Sequence, residues 1–312
     1  MRRFALALLP WLALSFSLAA CGEEETAPSP TPTAQTPTAV TYPLTVQRSD
    51  GKSITIEAAP QRIASLSPGA TEVFYAIGAG PQLIATDMQS DYPAEAARTT
   101  KLDAFQPNLE AIAGVEADLI FLANNQDDVV GALDALDKTV LYVEVPDDLA
   151  GVIEQVRLLG RVSGHVDEAE SLAREMESRV QAVQDRLEGV TAGPRVFHEL
   201  DNTLFTAAPD SFVGDLYSIL KAQNIAAGAP TPYPQLTQEE VIARDPEVII
   251  LADEEFGETP DAVKARPGWS AISAVKNDRI YGVDPDLVSR PGPRVVEGLE
   301  QLARLLYPER FS

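Results

Sequence analysis

Glu110 and Glu239 stand at the same point of a repeated pattern, which makes them the first candidates for a chemical role. Residues 108–124 run N-L-E-A-I-A-G-V-E-A-D-L-I-F-L-A-N, and residues 238–253 run Q-E-E-V-I-A-R-D-P-E-V-I-I-L-A-D. Without a gap, Glu110 falls on Glu239, Ile120 on Ile249, Leu122 on Leu251 and Ala123 on Ala252, while Asp118 meets Glu247. Each copy reads as a short helix leading into an apolar strand of buried type. Such patterns also coincide by chance in α/β proteins. Read as a repeat, they imply two similar lobes, each presenting one carboxylate. Matched carboxylates of this kind suit a body that holds a ligand and docks on a two-fold partner.

Catalytic patterns do not emerge. There is no G-x-S-x-G, no H-E-x-x-H and no phosphate loop. Gly78-Ala79-Gly80 begins like a dinucleotide fingerprint, but Leu83 takes the last glycine position. His165 and His198 are the only histidines, too few for a three-histidine metal site. His198 lies in an apolar strand beside Glu199 and reads as a core or pocket-lining residue. No metal and no cofactor is expected.

Binding chemistry is better represented. Ser67-Pro68-Gly69-Ala70-Thr71-Glu72 reads as a strand-to-helix turn whose free N–H groups face outward. Open α/β sheets bind ligands at such turns. Tyr92, in Ser90-Asp91-Tyr92-Pro93, and Tyr233, in Thr231-Pro232-Tyr233-Pro234, sit in proline-rich loops, one per expected lobe. A tyrosine held there offers a flat face to a large ligand, although each taken singly also fits ordinary loop packing.

The elements that must position these residues alternate between strand and helix. A hairpin is expected at 45–57 with Asp50-Gly51 at its turn. Strands are expected at 62–67, 83–87, 119–123, 140–145, 195–200, 247–252 and 279–283. Helices fit 71–77, 108–113, 129–136 and 149–162. Alternation of this kind means parallel sheets covered by helices. Residues 167–188 are different, a long helical run without Gly or Pro whose apolar residues recur at three and four. At ~1.5 Å per residue it spans roughly 33 Å. It reads as a stiff bridge between two lobes, expected at 42–166 and 191–312, with a long surface helix of one large domain as the alternative.

The N-terminus reads as a targeting device. Arg2 and Arg3 precede an apolar run at 4–18, too short for a spanning helix. Leu18-Ala19-Ala20-Cys21 matches a bacterial lipobox, which makes Cys21 the expected lipidation site. Cys21 is the only cysteine, so no disulfide framework is available. Residues 22–41 are rich in Pro, Thr, Glu and Ala and read as a disordered tether. The formal charge of the full chain is −23, and loss of residues 1–21 with Arg2 and Arg3 brings it near −25. That excess opposes binding to nucleic acid and electrostatic adsorption to anionic lipid, leaving the lipid as the membrane anchor.

Several of these segments together resemble the helical-backbone periplasmic binding proteins. They are R-I-A-S-L-S-P-G-A-T-E (62–72), S-D-Y-P (90–93), N-L-E-A-I (108–112), Y-P-Q-L-T-Q-E (233–239), A-R-D-P-E-V-I-I-L (243–251) and S-R-P-G-P-R (289–294). Their order is most similar to that of the vitamin B12-binding members. The resemblance implies two Rossmann-like α/β lobes with parallel sheets joined by one long helix, and a monomer that delivers its ligand to an ABC permease dimer. It implies that Tyr92, Tyr233, Asp286 and Arg290 line the interlobe cleft, and that Glu110 and Glu239 meet arginines of the permease. Where those members carry a further tryptophan, this chain has Ala123 and Asn124. That departure counts against cobalamin relative to other tetrapyrrole or siderophore ligands; the ligand the resemblance implies is still a corrinoid, with an iron-siderophore or haem as the alternative. His198, Tyr92 or Tyr233 could serve as an axial ligand to haem. Arg290, Arg294 and Arg266 are few for an anionic siderophore. An extracytoplasmic α/β enzyme is the reading from a different class, and no nucleophile, base or metal set assembles for it.

Overall fold

The computed structural model describes residues 40–254 and 257–311; Cys21 and residues 22–39 of the expected tether lie outside them. A hairpin comes first, β1 (Leu44–Gln47) pairing antiparallel with β2 (Ser53–Ile56). Gly51 takes φ 82° at its turn, a conformation that favours glycine.

The first lobe is built on five parallel strands, β3 (Ile63–Leu66), β4 (Leu83–Asp87), β5 (Thr100–Leu102), β6 (Leu119–Leu122) and β7 (Val140–Tyr142), in the order β5-β4-β3-β6-β7. Its helices are α1 (Pro68–Ala76), α2 (Leu109–Gly114), α3 (Val129–Asp134) and α4 (Leu149–Ser163). The strand order reverses between β3 and β6. At such a reversal the loops leave in opposite directions and open a crevice beyond the carboxyl ends of the strands. β5 is an addition to the sequence reading. Its T-K-L carries no apolar run, and it forms the edge of the sheet.

Helix α5 (Val166–Arg186) follows, 21 residues long. The second lobe has four parallel strands, β8 (Arg195–Glu199), β9 (Gln223–Asn224), β10 (Val248–Leu251) and β11 (Ile280–Gly282), in the order β11-β10-β8-β9. Around them lie α6 (Phe212–Ile219), α7 (Gln238–Arg244), α8 (Pro260–Lys264), α9 (Ser273–Lys276), α10 (Pro285–Val288) and α11 (Val295–Leu306). The two-lobed α/β architecture with a long connecting helix is thus the one observed.

Alternation along the strands divides the apolar residues into three cores. Ile63, Leu119 and Phe121 face inward in the first lobe and Val196, Val248 and Ile250 in the second. Both sets join one core through Leu159 of α4, Ala173 and Met176 of α5 and Leu299 of α11. Ala64, Ile120 and Leu122 face outward in the first lobe, and Phe197, Ile249 and Leu251 do so in the second, each set with a core of its own. α4 and α5 cross closely at Gly160, where a Cβ would stand 2.2 Å from that of Ala169. A shared core makes relative motion of the lobes expensive in exposed apolar surface.

The repeat seen in the sequence is also a repeat of bonding. Asn108 caps α2 by accepting from the Ala111 N–H at 3.0 Å, and Thr237 caps α7 by accepting from Glu240 N–H at 3.2 Å. Glu116 and Asp245 both adopt left-handed backbone, φ 52° and 45°. Arg62 Nε donates to the Glu116 carbonyl, and Arg195 Nε to the Asp245 carbonyl, each at 2.9 Å. The carboxylates of Asp118 and Glu247 accept from the backbone N–H groups of Arg62 and Arg195, again at 2.9 Å. Each lobe therefore fixes its first strand to its helix–strand unit by the same device.

Candidate ligand-binding cleft

A cavity of about 430 Å³ opens over the carboxyl ends of the first sheet. Its walls are the residues that follow successive strands: Ser67 after β3, Asp87 and Gln89 at and after β4, Ala104 and Phe105 after β5, Ala123 and Asn124 after β6, and Val145 and Pro146 after β7. Gln155 of α4 joins them, and the second lobe closes the space with Pro285, Asp286, Ser289, Arg290 and Pro291. Three of the expected binding residues, Ser67, Asp286 and Arg290, thus share one cavity between the lobes. Ser67 also starts α1, its Oγ accepting from the Ala70 N–H at 3.3 Å with Pro68 in the first turn. Backbones from the two lobes meet here, since a Cβ on Gly69 would lie 2.1 Å from the Pro291 carbonyl oxygen.

Beside the cavity lies a charge cluster that crosses between lobes. Glu72 of α1, with its side chain 1% exposed, meets Arg290 at 3.1 Å and Arg294 at 2.6 Å. Arg290 also meets Asp91 at 3.0 Å and Asp286 at 2.6 Å, and donates to the Gln89 carbonyl at 3.3 Å. Burial pushes the Asp286 carboxyl up, with Arg290 opposing. Burial would also raise Asp91, but Arg290 holds it below the ordinary carboxylate range.

Tyr92 and Tyr233, expected to line the cleft, are not among the walls of this cavity. Tyr92 is half exposed, and the Arg294 guanidinium carbon sits 4.0 Å from its ring centroid. Tyr233 is also half exposed; burial raises its phenol, and the charge of Asp147 on the facing lobe adds to the rise. Phe105, a wall residue absent from the sequence reading, is 68% exposed. Its ring offers the same kind of flat apolar face that singled out the tyrosines.

The supporting loops are tied by polar groups. Asp87 accepts from the N–H of Gln89 at 2.7 Å and of Ala104 at 3.3 Å. Asp103 accepts from the N–H groups of Phe105 and Gln106 at 2.9 and 2.8 Å. Lys101 Nζ donates to Thr86 Oγ1 and to the Ala96 carbonyl, each at 3.0 Å, and to the Ser90 carbonyl, beneath the loop that carries Tyr92.

Other candidates lie elsewhere. His198 is buried, with Nδ1 2.7 Å from the Tyr217 hydroxyl, and burial lowers its pKa to about 4. It is a core residue and not a wall of the cleft. Arg266 is bound to the fully buried Glu199 and stacks 4.5 Å from the Trp269 ring centroid, so it too is internal. Glu110 and Glu239 are exposed, each at the second residue of its helix. Among the described residues no group of three His, Cys, Asp or Glu side chains is placed to hold a metal ion, and no helix is long and apolar enough to cross a membrane.

The chain belongs to the periplasmic binding protein family, whose model matches residues 63–287. An uncharacterized ABC transporter substrate-binding lipoprotein, YvrC of Bacillus subtilis, is 31% identical over 281 residues, covering 87% of this chain and 88% of that protein. The vitamin B12-binding protein of Pectobacterium carotovorum is 32% identical over 257 residues, covering 80% of this chain and 89% of its own. Among solved structures, the periplasmic vitamin B12-binding protein BtuF of Vibrio cholerae superposes with a TM-score of 0.71 at 28% identity, over 81% of this chain and 99% of that one. The periplasmic haem-binding protein RhuT from Roseiflexus gives 0.72 at 22% identity, over 80% and 99%, a likeness of fold alone.

Proposed function

We infer that this chain is the solute-binding component of an ABC importer, and that its ligand is a corrinoid held between the lobes. The observation that carries the reading is the interlobe cavity at the first sheet's reversal point, with the exposed ring of Phe105 in its wall. Large flat macrocycles bind by covering such rings, and the cavity lies in the size range of small-molecule sites. Relatives named for vitamin B12 binding support the ligand class. The protein acts by binding and release, as a monomer, outside the cytoplasm. Cys21 carries the lipid anchor and residues 22–41 form the tether. Glu110 and Glu239 dock the two lobes on a permease dimer.

The test is an absorbance titration of the chain from residue 41 with cobalamin, cobinamide, haem and ferric siderophores. A corrin spectral shift saturating at one ligand per chain, with the corrinoid recovered unchanged, is expected. Saturable binding of haem or a siderophore without any corrinoid binding at ~100 μM would replace the ligand assignment. Turnover of the ligand would replace the class.

A further inference from the structure

The cations beside the cleft are already occupied. Arg290 is 12% exposed in its side chain and is surrounded by Glu72, Asp91 and Asp286. Arg294, 15% exposed, holds both oxygens of Glu72 at 3.0 and 2.6 Å and covers Tyr92. Lys101 is committed to Thr86 and to the carbonyls of Ser90 and Ala96. Asp87 in the wall and Asp147 beside Tyr233 add two more carboxylates. Carboxylates therefore outnumber cations around the cavity, within a chain whose formal charge is −23.

A ligand carboxylate entering this space meets guanidinium forks already filled. It can gain a partner only by displacing Glu72, which would leave a buried charge unpaired, or by displacing Asp91 or Asp286, which gives up an ion pair already made. A neutral amide can instead donate to the carboxylate of Asp286 in the wall or of the exposed Asp91 without separating an ion pair, and a cationic centre is drawn in by the excess negative charge. We propose that the cleft selects its ligand by charge, with Glu72, Asp91 and Asp286 neutralising Arg290 and Arg294 so that an amide-bearing, neutral or cationic chelate is accepted and a carboxylate-bearing one refused. This deepens the corrinoid reading and rests on the same cavity being the ligand site.

The experiment measures dissociation constants for two charge pairs at about 50 and about 500 mM NaCl, which differ several-fold in screening. One pair is an amide-bearing corrinoid and the same corrin with its side chains hydrolysed to carboxylates. The other is a cationic ferric trihydroxamate and an anionic ferric tris-catecholate. The amide corrinoid is expected to bind at least about tenfold more tightly than the acid form at low salt, a factor that a single charge repulsion at protein-surface dielectric supplies. The gap should narrow at high salt and in Asp286→Asn, which frees part of Arg290. Equal or tighter binding of the acid corrinoid overturns charge selection while leaving the corrinoid reading standing. Preference for the cationic trihydroxamate, with neither corrinoid bound, sustains charge selection and ends the corrinoid reading. Tightest binding of the anionic catecholate overturns both.

Discussion

Glu72 and Arg294, 222 residues apart in the chain, form a two-point ion pair that crosses between the lobes at 3.0 and 2.6 Å. The carboxylate is buried, and the same guanidinium covers the ring of Tyr92 at 4.0 Å. One arginine thus links lobe-to-lobe attachment with the placement of a cleft aromatic. Glu72→Gln should lower unfolding free energy by roughly 3 kcal/mol, because it strips two half-buried guanidiniums of their shared, fully buried partner. Denaturant melts measure this. Glu72→Gln combined with Arg294→Met should regain part of the loss, since the unpaired charge is removed with its partner. A single-variant loss below about 1 kcal/mol would mean that the pair is well solvated and not a structural link.

Phe105, Tyr92 and Tyr233 should each contribute to ligand affinity and little to folding. Replacement of any one by Ala is expected to weaken binding by about 1 kcal/mol or somewhat more, roughly a five- to tenfold rise in dissociation constant. Phe105→Ala should change the melting temperature least, because its ring is 68% exposed and few protein atoms depend on it. Calorimetric titration and thermal melts on the same samples check both halves. Early melting with unaltered affinity would assign these rings to loop packing.

Two buried titratable groups in the second lobe should oppose each other in acid. Asp253 is buried with both carboxylate oxygens unpartnered among the described residues, and burial pushes its pKa to about 7, with the Glu199 charge adding. Its folded pKa lies above the unfolded value, so the folded state binds the extra proton. Stability is then lost as pH rises from about 4 to about 7. His198, lowered to about 4 by burial, loses stability in the opposite direction, as pH falls from its ordinary value toward 4. Asp253→Asn should therefore raise stability at pH 8 by on the order of a few kcal/mol, and change it little near pH 4. Melts of the variant across this range should fall more steeply in acid than those of the parent. An unchanged profile would show that Asp253 is ionised and solvated in the folded state.

Much of the architecture was legible because it rests on long apolar periods. The strands around Ile63, Leu119 and Ile249 are uniformly buried, and the α5 stripe through Ala169, Met176 and Val183 repeats at helical spacing. β5 and β9 were not legible, since T-K-L and Q-N hold their places by backbone pairing at sheet edges and carry no apolar signal. The cleft divides in the same way. Ser67 came from the strand-to-helix turn at 67–72, and Asp286 and Arg290 came from the family resemblance. Phe105 was missed because it follows β5, the strand that could not be seen. Its one local cue is Asp103, which accepts from Phe105 and Gln106 and shapes the loop. The pairing of Glu72 with Arg294 depends on tertiary closure, which no local pattern encodes.

Glu110 and Glu239 carry the last prediction. Each is exposed and sits second in a helix whose cap, left-handed exit and arginine tie are duplicated in the other lobe. The core shared through α4, α5 and α11 holds the two helices on one body. Two carboxylates so fixed can accept charge-assisted hydrogen bonds from a pair of permease arginines, and the second contact forms at high effective concentration once the first is made. Replacing both by Ala should leave ligand affinity unchanged and reduce uptake in cells, and ATPase stimulation of the reconstituted transporter, by at least tenfold. Each single variant should be intermediate, because the other lobe still docks. An acid at a helix N-terminus also interacts with the helix dipole, worth about 0.3 to 1 kcal/mol. That role alone predicts a slightly earlier melt and normal transport. Normal transport by the double variant at normal protein level would remove these residues from the docking surface.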